Sequence, residues 1–200
     1  KAGKGKMTVD VESFAGVRTP LKTVKMANAD EYVRYSNAAY IKDFPQGRFS
    51  ANQPYNTDWL DAITRTGSYT QNNIAISGSS ENVKYFFSVG NYEEKGILNG
   101  SDYGRTTIRN NNEFKLSDKV KLTQNFSVST IKNTPMPLSA FTNAYRQSPL
   151  VPVRYADGKY GVPFISNGVV AETGASFNNV GNPVAQLDYT NEQQQTVMLQ

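Results

Sequence analysis

The sequence predicts an all-β chain, a fragment of an antiparallel up-and-down transmembrane β-barrel with long extracellular loops carrying short helices. Three observations support this: strands with sustained alternation of apolar and polar residues, unusually long strands, and connections of two different lengths. Side chains alternate across a strand, so such a strand has one apolar and one polar face. A transmembrane barrel strand needs about 9–11 residues, whereas the commonest globular strand has about 5–6.

Six strands are predicted, at about residues 7–17, 69–78, 83–94, 103–116, 120–132 and 192–200. In the third strand Val83, Tyr85 and Phe87 share one face, and Lys84 and Ser88 share the other. In the fourth strand the odd positions form a polar stripe, namely Arg105, Thr107, Arg109, Asn111, Glu113 and Lys115. Because a charge at the midplane of a lipid-facing surface costs about 2–4 kcal/mol, we expect this stripe to face a barrel lumen.

The predicted connections are sorted by length. Two long loops cover residues 18–68 and 133–190, whereas residues 79–82 and 117–119 form tight turns. The tight turns fall at one end of the sheet, and the long loops fall at the other with a medium link near residues 95–102. Outer-membrane barrels have this arrangement, with short periplasmic turns and long extracellular loops.

Short helices are predicted inside both long loops. One covers about Ala29–Ala39, because Asn28 can cap it and Glu31 completes a capping box. A second covers about residues 58–64, with Asn56 or Thr57 as its cap, and a third covers about residues 138–147. The Asp-Gly pair at 157–158, between short extended pieces, predicts a hairpin turn.

Aromatic residues stand near the strand ends. Tyr69, Tyr92 and Tyr103 lie towards the long loops, and Tyr85 and Phe114 lie towards the tight turns. These positions suit the two aromatic girdles of a membrane barrel. The alternative is that tyrosine and phenylalanine simply favour strands.

Composition excludes several functions. The chain has no Cys and no His, which rules out a Ser-His-Asp triad, a Cys nucleophile and the common zinc sites within it. Its net charge is +4, with Lys1, Lys4 and Lys6 at the start. We interpret these lysines as a solvated basic segment, and we predict no nucleic-acid partner, no cofactor and no metal site.

Ordered motifs resemble a known family. They are Asp58-Trp59 followed by Arg65-Thr66-Gly67, Asn73 to Gly78, Tyr85-Phe86-Phe87-Ser88, Glu94 to Gly96-Ile97, and Tyr103 followed by Arg105 and Arg109-Asn110. Together they resemble the SusC/RagA-type TonB-dependent outer-membrane transporters of Bacteroidetes. The opening KAGKGKMTVDVES resembles the point where the plug of that family ends and its barrel begins. We therefore expect both ends of the chain to be cuts in a longer polypeptide.

The resemblance implies a barrel of about 22 strands around a plug domain. It also implies a bacterial outer-membrane location, a SusD-like surface lipoprotein as partner, energy from TonB through parts absent from this chain, and import of oligosaccharides or peptides. The alternative is a soluble β-sandwich that binds glycans. An enzyme with paired carboxylates is disfavoured, because the Asp and Glu residues are scattered and no motif fixes a pair.

The strand pattern and the family resemblance together indicate candidate site residues. Trp59, Tyr145, Tyr155 and Tyr160 can stack on sugar rings or contact a peptide, although for Trp59 the role of packing anchor of its helix is favoured. Arg105, Arg109 and Glu113 are predicted to face the lumen. The two arginines then either line the translocation path or pair with plug carboxylates or with Glu113.

Overall fold

The computed structural model describes residues 5–21, 23–190 and 192–200. Lys1 and Lys4 of the predicted basic segment lie outside these residues. The elements follow in chain order: β1 (Gly5–Arg18), α1 (Ala29–Ala39), α2 (Trp59–Ile63), β2 (Gly67–Ser79), β3 (Val83–Lys95), β4 (Asp102–Lys115), β5 (Lys121–Thr134), α3 (Ser139–Arg146), β6 (Phe164–Ser166), β7 (Val169–Ala171), β8 (Ala175–Ser176), α4 (Pro183–Asp188) and β9 (Gln194–Leu199).

The described residues form two compact units. The sheet unit contains the residues up to Thr19, Thr66–Pro135 and Glu192–Gln200. The loop unit contains Pro20–Arg65 and Met136–Asn191, which are the two long connections of the sheet.

The sheet unit is one antiparallel sheet with the strand order β1-β2-β3-β4-β5-β9. The predicted fold class is confirmed, since consecutive long strands pair as neighbours. Each of β1 to β5 has 13 or 14 residues, which exceeds the usual globular strand. Within the described residues the sheet does not close, because β1 and β9 lie at its edges.

The cross-strand register sorts the side chains into two faces. One row crosses all six strands through directly paired apolar residues, namely Val11, Ile74, Val89, Ile108, Val128 and Leu199. We call the face that contains this row the apolar face. The opposite face, the polar face, contains the predicted stripe of β4 together with residues of its neighbours, including Asp10, Glu12, Gln71, Asn73, Lys84, Ser88 and Ser127.

The apolar face is exposed. Val11 is 69% exposed and Ile74 is 51% exposed, and Leu122 and Phe126 are also exposed. A β-sandwich would cover this face with a second sheet of the same unit. The other sheet among the described residues has the order β7-β6-β8 and belongs to the loop unit.

The connections are sorted as predicted. Three residues join β2 to β3 and five join β4 to β5, at one end of the sheet. At the other end, six residues join β3 to β4, and the two long segments of the loop unit leave and rejoin the sheet.

The loop unit has a packed core. In α1 the side chain of Asn28 accepts from the Glu31 backbone N–H, and the Glu31 carboxylate accepts from the Asn28 N–H, which confirms the capping box. The cap predicted for α2 was wrong. Asp58, and neither Asn56 nor Thr57, accepts from the first free backbone N–H groups of that helix.

The two segments of the loop unit are joined by contacts between residues far apart in sequence. The indole Nε1 of Trp59 donates to the Ser148 carbonyl at 2.8 Å, and the Phe49 and Phe177 rings meet edge to face at 5.2 Å. These contacts bury apolar side chains from both segments, so neither long loop packs alone.

Some elements of the second long loop were not predicted. The strands β6, β7 and β8 have two or three residues each, and α4 has six. None of the helices in the described part of the chain is long and apolar enough to pass through a membrane.

Candidate functional site

The polar face contains a groove above the middle of the sheet. Its volume is about 310 Å³, and its lining includes Glu12, Gln71, Asn73, Phe86, Arg105 and Arg109. Gly90 forms part of the floor, where a Cβ atom would lie 2.6 Å from Oδ1 of Asn73. The groove thus combines charged groups, amides and the two aromatic rings of Phe86 and Tyr92 on a β-sheet floor.

Arg105 and Arg109 are exposed and project from the same side of β4. Among the described residues neither guanidinium has a side-chain hydrogen bond or ion pair. The alternative that they pair with Glu113 was wrong, because the Glu113 carboxylate accepts from Lys84 Nζ at 3.0 Å. Lys84 and Glu113 are direct cross-strand partners, and this position explains their pairing.

Three tyrosines occupy the polar face at the end where the long loops leave. Tyr69 and Tyr92 stack with ring centroids 6.4 Å apart, and Tyr103 meets Tyr92 edge to face at 6.0 Å. Arg18 lies 5.5 Å over the Tyr69 ring and 3.3 Å from the Glu94 carboxylate. The aromatic girdle predicted at this end was therefore wrong, because these rings share a face with charged residues.

At the tight-turn end the aromatic residues have the opposite orientation. Tyr85 and Phe114 lie on the apolar face, in register with Gly78 and Leu122 respectively. Their positions agree with the predicted girdle. The difference between the two ends follows from the parity of each residue along its strand.

Two of the predicted ligand-stacking residues are buried in the loop unit. Trp59 is 3% exposed, and its hydrogen bond to Ser148 fixes the indole in the core. Tyr155 is 7% exposed and its hydroxyl donates to the Ala171 carbonyl at 2.9 Å. Burial raises the pKa of Tyr155. In this structure both side chains have the packing role that the sequence left open for Trp59.

Tyr160 lies at the surface in a cluster with charged and aromatic neighbours. The Arg154 guanidinium stands 3.8 Å from its ring centroid, and its hydroxyl donates to the Asp188 carboxylate. That hydrogen bond raises the pKa of the Tyr160 hydroxyl. The exposed ring of Tyr189 lies 5.7 Å from the Tyr160 ring.

Sequence reasoning missed Arg154, Asp188 and Tyr189. Arg154 and Tyr160 flank the predicted Asp-Gly turn, so hairpin pairing alone would have brought them together. Asp188 and Tyr189 follow an Asn-Pro pair, which marks a helix start that was not used. Tyr145, on α3, is 40% exposed and has no ring contact with Tyr160 or Tyr155 within the described residues.

The Asp157-Gly158 pair forms the predicted turn. Gly158 has a φ of +88°, and Arg154 and Tyr160 form a β-bridge on either side. A hydrogen bond from Lys159 lowers the pKa of the Asp157 carboxyl. Across the residues that the structure describes, no three His, Cys, Asp or Glu side chains are grouped so as to hold a metal ion.

The sequence is similar to several curated proteins, although no family model matches it. It is 29% identical to TonB-dependent receptor P3 of Formosa agariphila over 80% of this chain and 28% identical to receptor P26 of the same bacterium over 93%. It is 33% identical to TonB-dependent receptor SusC of Bacteroides thetaiotaomicron over 54%. The chain spans only 16%, 18% and 10% of these three relatives.

The fold is similar to solved structures of the RagAB peptide importer. The closed-closed and open-open states each match with a TM-score of 0.58 at 18% sequence identity. Each match covers 90% of this chain and 23% of the solved chain. The resemblance to SusC/RagA-type TonB-dependent transporters is thereby confirmed, and the fold is that of a part of such a barrel protein.

Proposed function

We propose that this chain, which resembles SusC/RagA-type TonB-dependent receptors, forms the first part of the barrel wall of a bacterial outer-membrane importer. The observation that supports this most directly is the exposed apolar face of a long-stranded sheet. In water, leaving one large apolar side chain exposed forgoes about 1.5–3 kcal/mol of burial free energy. A row of apolar residues across six strands, of which Val11, Ile74, Ile108 and Leu199 are exposed, fits a surface that lipid covers.

The length of the strands also fits the thickness of a lipid bilayer. Thirteen residues at about 3.4 Å each, tilted by about 45°, rise about 31 Å, against about 30 Å for the hydrocarbon core. Backbone groups within the sheet are paired, but the outer edges of β1 and β9 are not paired in the described chain. Lipid cannot satisfy such edges, so the proposal requires further strands from the same polypeptide.

The polar face then faces the interior of the barrel. Arg105 and Arg109 would contact either the cargo or carboxylates of a plug domain in the same polypeptide. Charged side chains on the polar face cost little free energy in this position, because the interior of such barrels is polar. The proposal assigns the chain no catalytic activity.

The proposed cargo is an oligosaccharide or a peptide, taken up with a SusD-like surface lipoprotein and with energy from TonB through parts absent from this chain. Support comes from the sequence match to the SusC receptor and from the similarity in fold to RagAB, which is a peptide importer. The soluble glycan-binding sandwich lacks comparable support, because its second sheet over the apolar face is missing from the described residues of the sheet unit.

The lipid boundary can be tested with neighbouring residues on one strand. Ile108 belongs to the apolar face and Arg109 to the polar face, at nearly the same depth. The chain itself has no cysteine, so in the full-length protein in lipid bilayers, with any cysteine outside this chain replaced by serine, I108C and R109C each introduce one spin-label site. We expect oxygen, which concentrates in lipid, to relax the label at 108 more than a water-soluble nickel complex does. At 109 that preference should be reduced or reversed, and equal water access at both sites would refute the barrel wall.

A further inference from the structure

A platform of four side chains stands on the surface of the loop unit: Arg154, Tyr160, Asp188 and Tyr189. The outermost is Tyr189, whose side chain is 76% exposed although it is a large aromatic ring. Tyr160 lies beside it at an interplanar angle of 59°. Arg154 and Asp188 form an ion pair of 3.0 Å at the edge of the two rings.

The fold holds this platform in place from two directions. Arg154 and Tyr160 lie on the arms of the hairpin, where Arg154 also donates to the Gly158 carbonyl at 2.8 Å. Asp188 and Tyr189 end α4, and the Tyr189 N–H donates to the Ala185 carbonyl at 3.0 Å. Asn182, the cap of α4, donates its side-chain amide to the Val153 carbonyl at 2.9 Å and so ties helix to hairpin.

These contacts leave several groups available to a ligand. Both hydrogen bonds to Asp188 end on Oδ2, so Oδ1 remains an acceptor. The Tyr189 hydroxyl and the Arg154 Nε–H have no partner among the described residues. The platform therefore offers an open ring face with a hydrogen-bond acceptor, a donor and a hydroxyl at its margin. Because hydrogen bonds already hold the side chains of Arg154, Tyr160 and Asp188, these three lose little side-chain entropy on binding.

We propose that the platform binds a neutral sugar ring of an oligosaccharide. A sugar presents an apolar C–H face that can lie on Tyr189, and hydroxyl groups at its edge that can both donate and accept. The charges at the margin neutralise each other in the Arg154–Asp188 pair, which favours an uncharged ligand over a charged one. The inference rests on the proposed import function, since it names the class of cargo, but it concerns a surface site and is measured by binding.

The test uses the full-length protein in detergent micelles and an array of neutral oligosaccharides, with an uncharged, capped Gly/Ser hexapeptide as a comparison probe. We expect at least one neutral oligosaccharide to bind, and Tyr189→Ala to weaken that binding about tenfold, which corresponds to about 1.4 kcal/mol. Tyr189→Trp keeps an aromatic ring at this position and should bind the same oligosaccharide about as well as the wild type does. Tyr35→Ala is the matched control, because Tyr35 is also 76% exposed in the loop unit but has no ring contact or ion pair among the described residues.

Three results would overturn the proposal. They are no binding of any neutral oligosaccharide on the array, equal binding by wild type and Tyr189→Ala, and Tyr189-dependent binding of the peptide alone. A result that refutes the sugar site can be distinguished from a result that refutes the barrel wall. Water access at residue 108 would refute the wall whatever binds at Tyr189, and a missing sugar site leaves the wall intact.

Discussion

The sheet unit and the loop unit place the same kinds of residues in opposite positions. In the loop unit Trp59, Ile63, Leu150 and Val151 are buried together. In the sheet unit many large apolar residues of the long strands are exposed, and Leu98 is the one buried hydrophobic residue among the described residues of that unit. One unit therefore hides its apolar side chains within the chain, and the other presents them to its surroundings.

This difference shows that the surroundings of a unit, as well as its sequence, decide whether its apolar side chains are buried within the chain. The loop unit gains the free energy of moving apolar surface out of water by packing against itself. The sheet unit makes no such core, and under the proposed function lipid replaces it. The following predictions test this contrast, from the largest expected effect to the smallest.

Removing the central side chain of the loop core should have the largest effect. Trp59→Ala deletes a buried indole and its hydrogen bond to the Ser148 carbonyl. We expect a loss of about 3–5 kcal/mol from the free energy of unfolding of the loop unit. Hydrogen exchange of α1 and α3 in the full-length protein measures it. The control Tyr35→Ala should change stability by less than about 0.5 kcal/mol, and equal effects would contradict the packed core.

The sheet unit offers two adjacent phenylalanines on opposite faces. Phe87 lies on the apolar face and Phe86 lines the polar groove. Phe87→Arg should cost about 2–4 kcal/mol near the bilayer midplane, because it places a charge in lipid. Phe86→Arg places the same charge on the polar face and should cost less. Denaturant unfolding in lipid vesicles compares the two, and a larger cost at 86 would reverse the assignment of the faces.

A close backbone approach in the sheet should have an intermediate effect. Gly16 lies under the Tyr69 ring, and a Cβ atom there would be 2.5 Å from the ring carbon Cε1. Gly16→Ala must displace that ring, for which we expect a cost of about 1–3 kcal/mol. At Gly104 the nearest atom to an added Cβ is a carbonyl oxygen at 4.0 Å, so Gly104→Ala is the control. Vesicle unfolding should show no loss for this control.

The smallest effect concerns the ionisation of one tyrosine. The hydrogen bond to Asp188 raises the pKa of Tyr160 in the folded protein. The contribution of this hydrogen bond to the free energy of unfolding is therefore complete below the usual tyrosine pKa of about 10. It is lost as the pH rises through the higher pKa that Tyr160 has in the folded protein. The absorbance difference between wild type and Tyr160→Phe isolates this titration. Asp188→Ala should move its midpoint to lower pH, and an unchanged midpoint would contradict the contact.

Alternation was enough to predict the sheet and its faces. The parity of Val83, Tyr85 and Phe87 placed Val89 on the apolar face, and the register of the structure then pairs Val89 with Ile74 and Ile74 with Val11. The girdle predicted at the long-loop end was wrong because it used the position of each tyrosine along its strand and not the face on which alternation places it. Tyr92 shares its parity with Lys84, so the alternation of β3 already placed it on the polar face.

The loop unit was harder to predict because its structure depends on distant contacts. The α1 capping box was visible in Asn28 and Glu31, since capping is local. Strands of two or three residues such as β8 show no periodicity. The burial of Tyr155, and the platform around Tyr160, arise only when segments distant in sequence meet, which no local pattern records.

The attachment of both long segments at one end of the sheet has a consequence for the order of assembly. The Trp59 and Ser148 partners are 89 residues apart, and the four strands β2 to β5 lie between them. Those strands pair with sequence neighbours through short turns, whereas the loop core requires the closure of a long chain segment, which is slow. We therefore expect the hairpins to form first and to bring the ends of the segments together, so that the loop unit folds last.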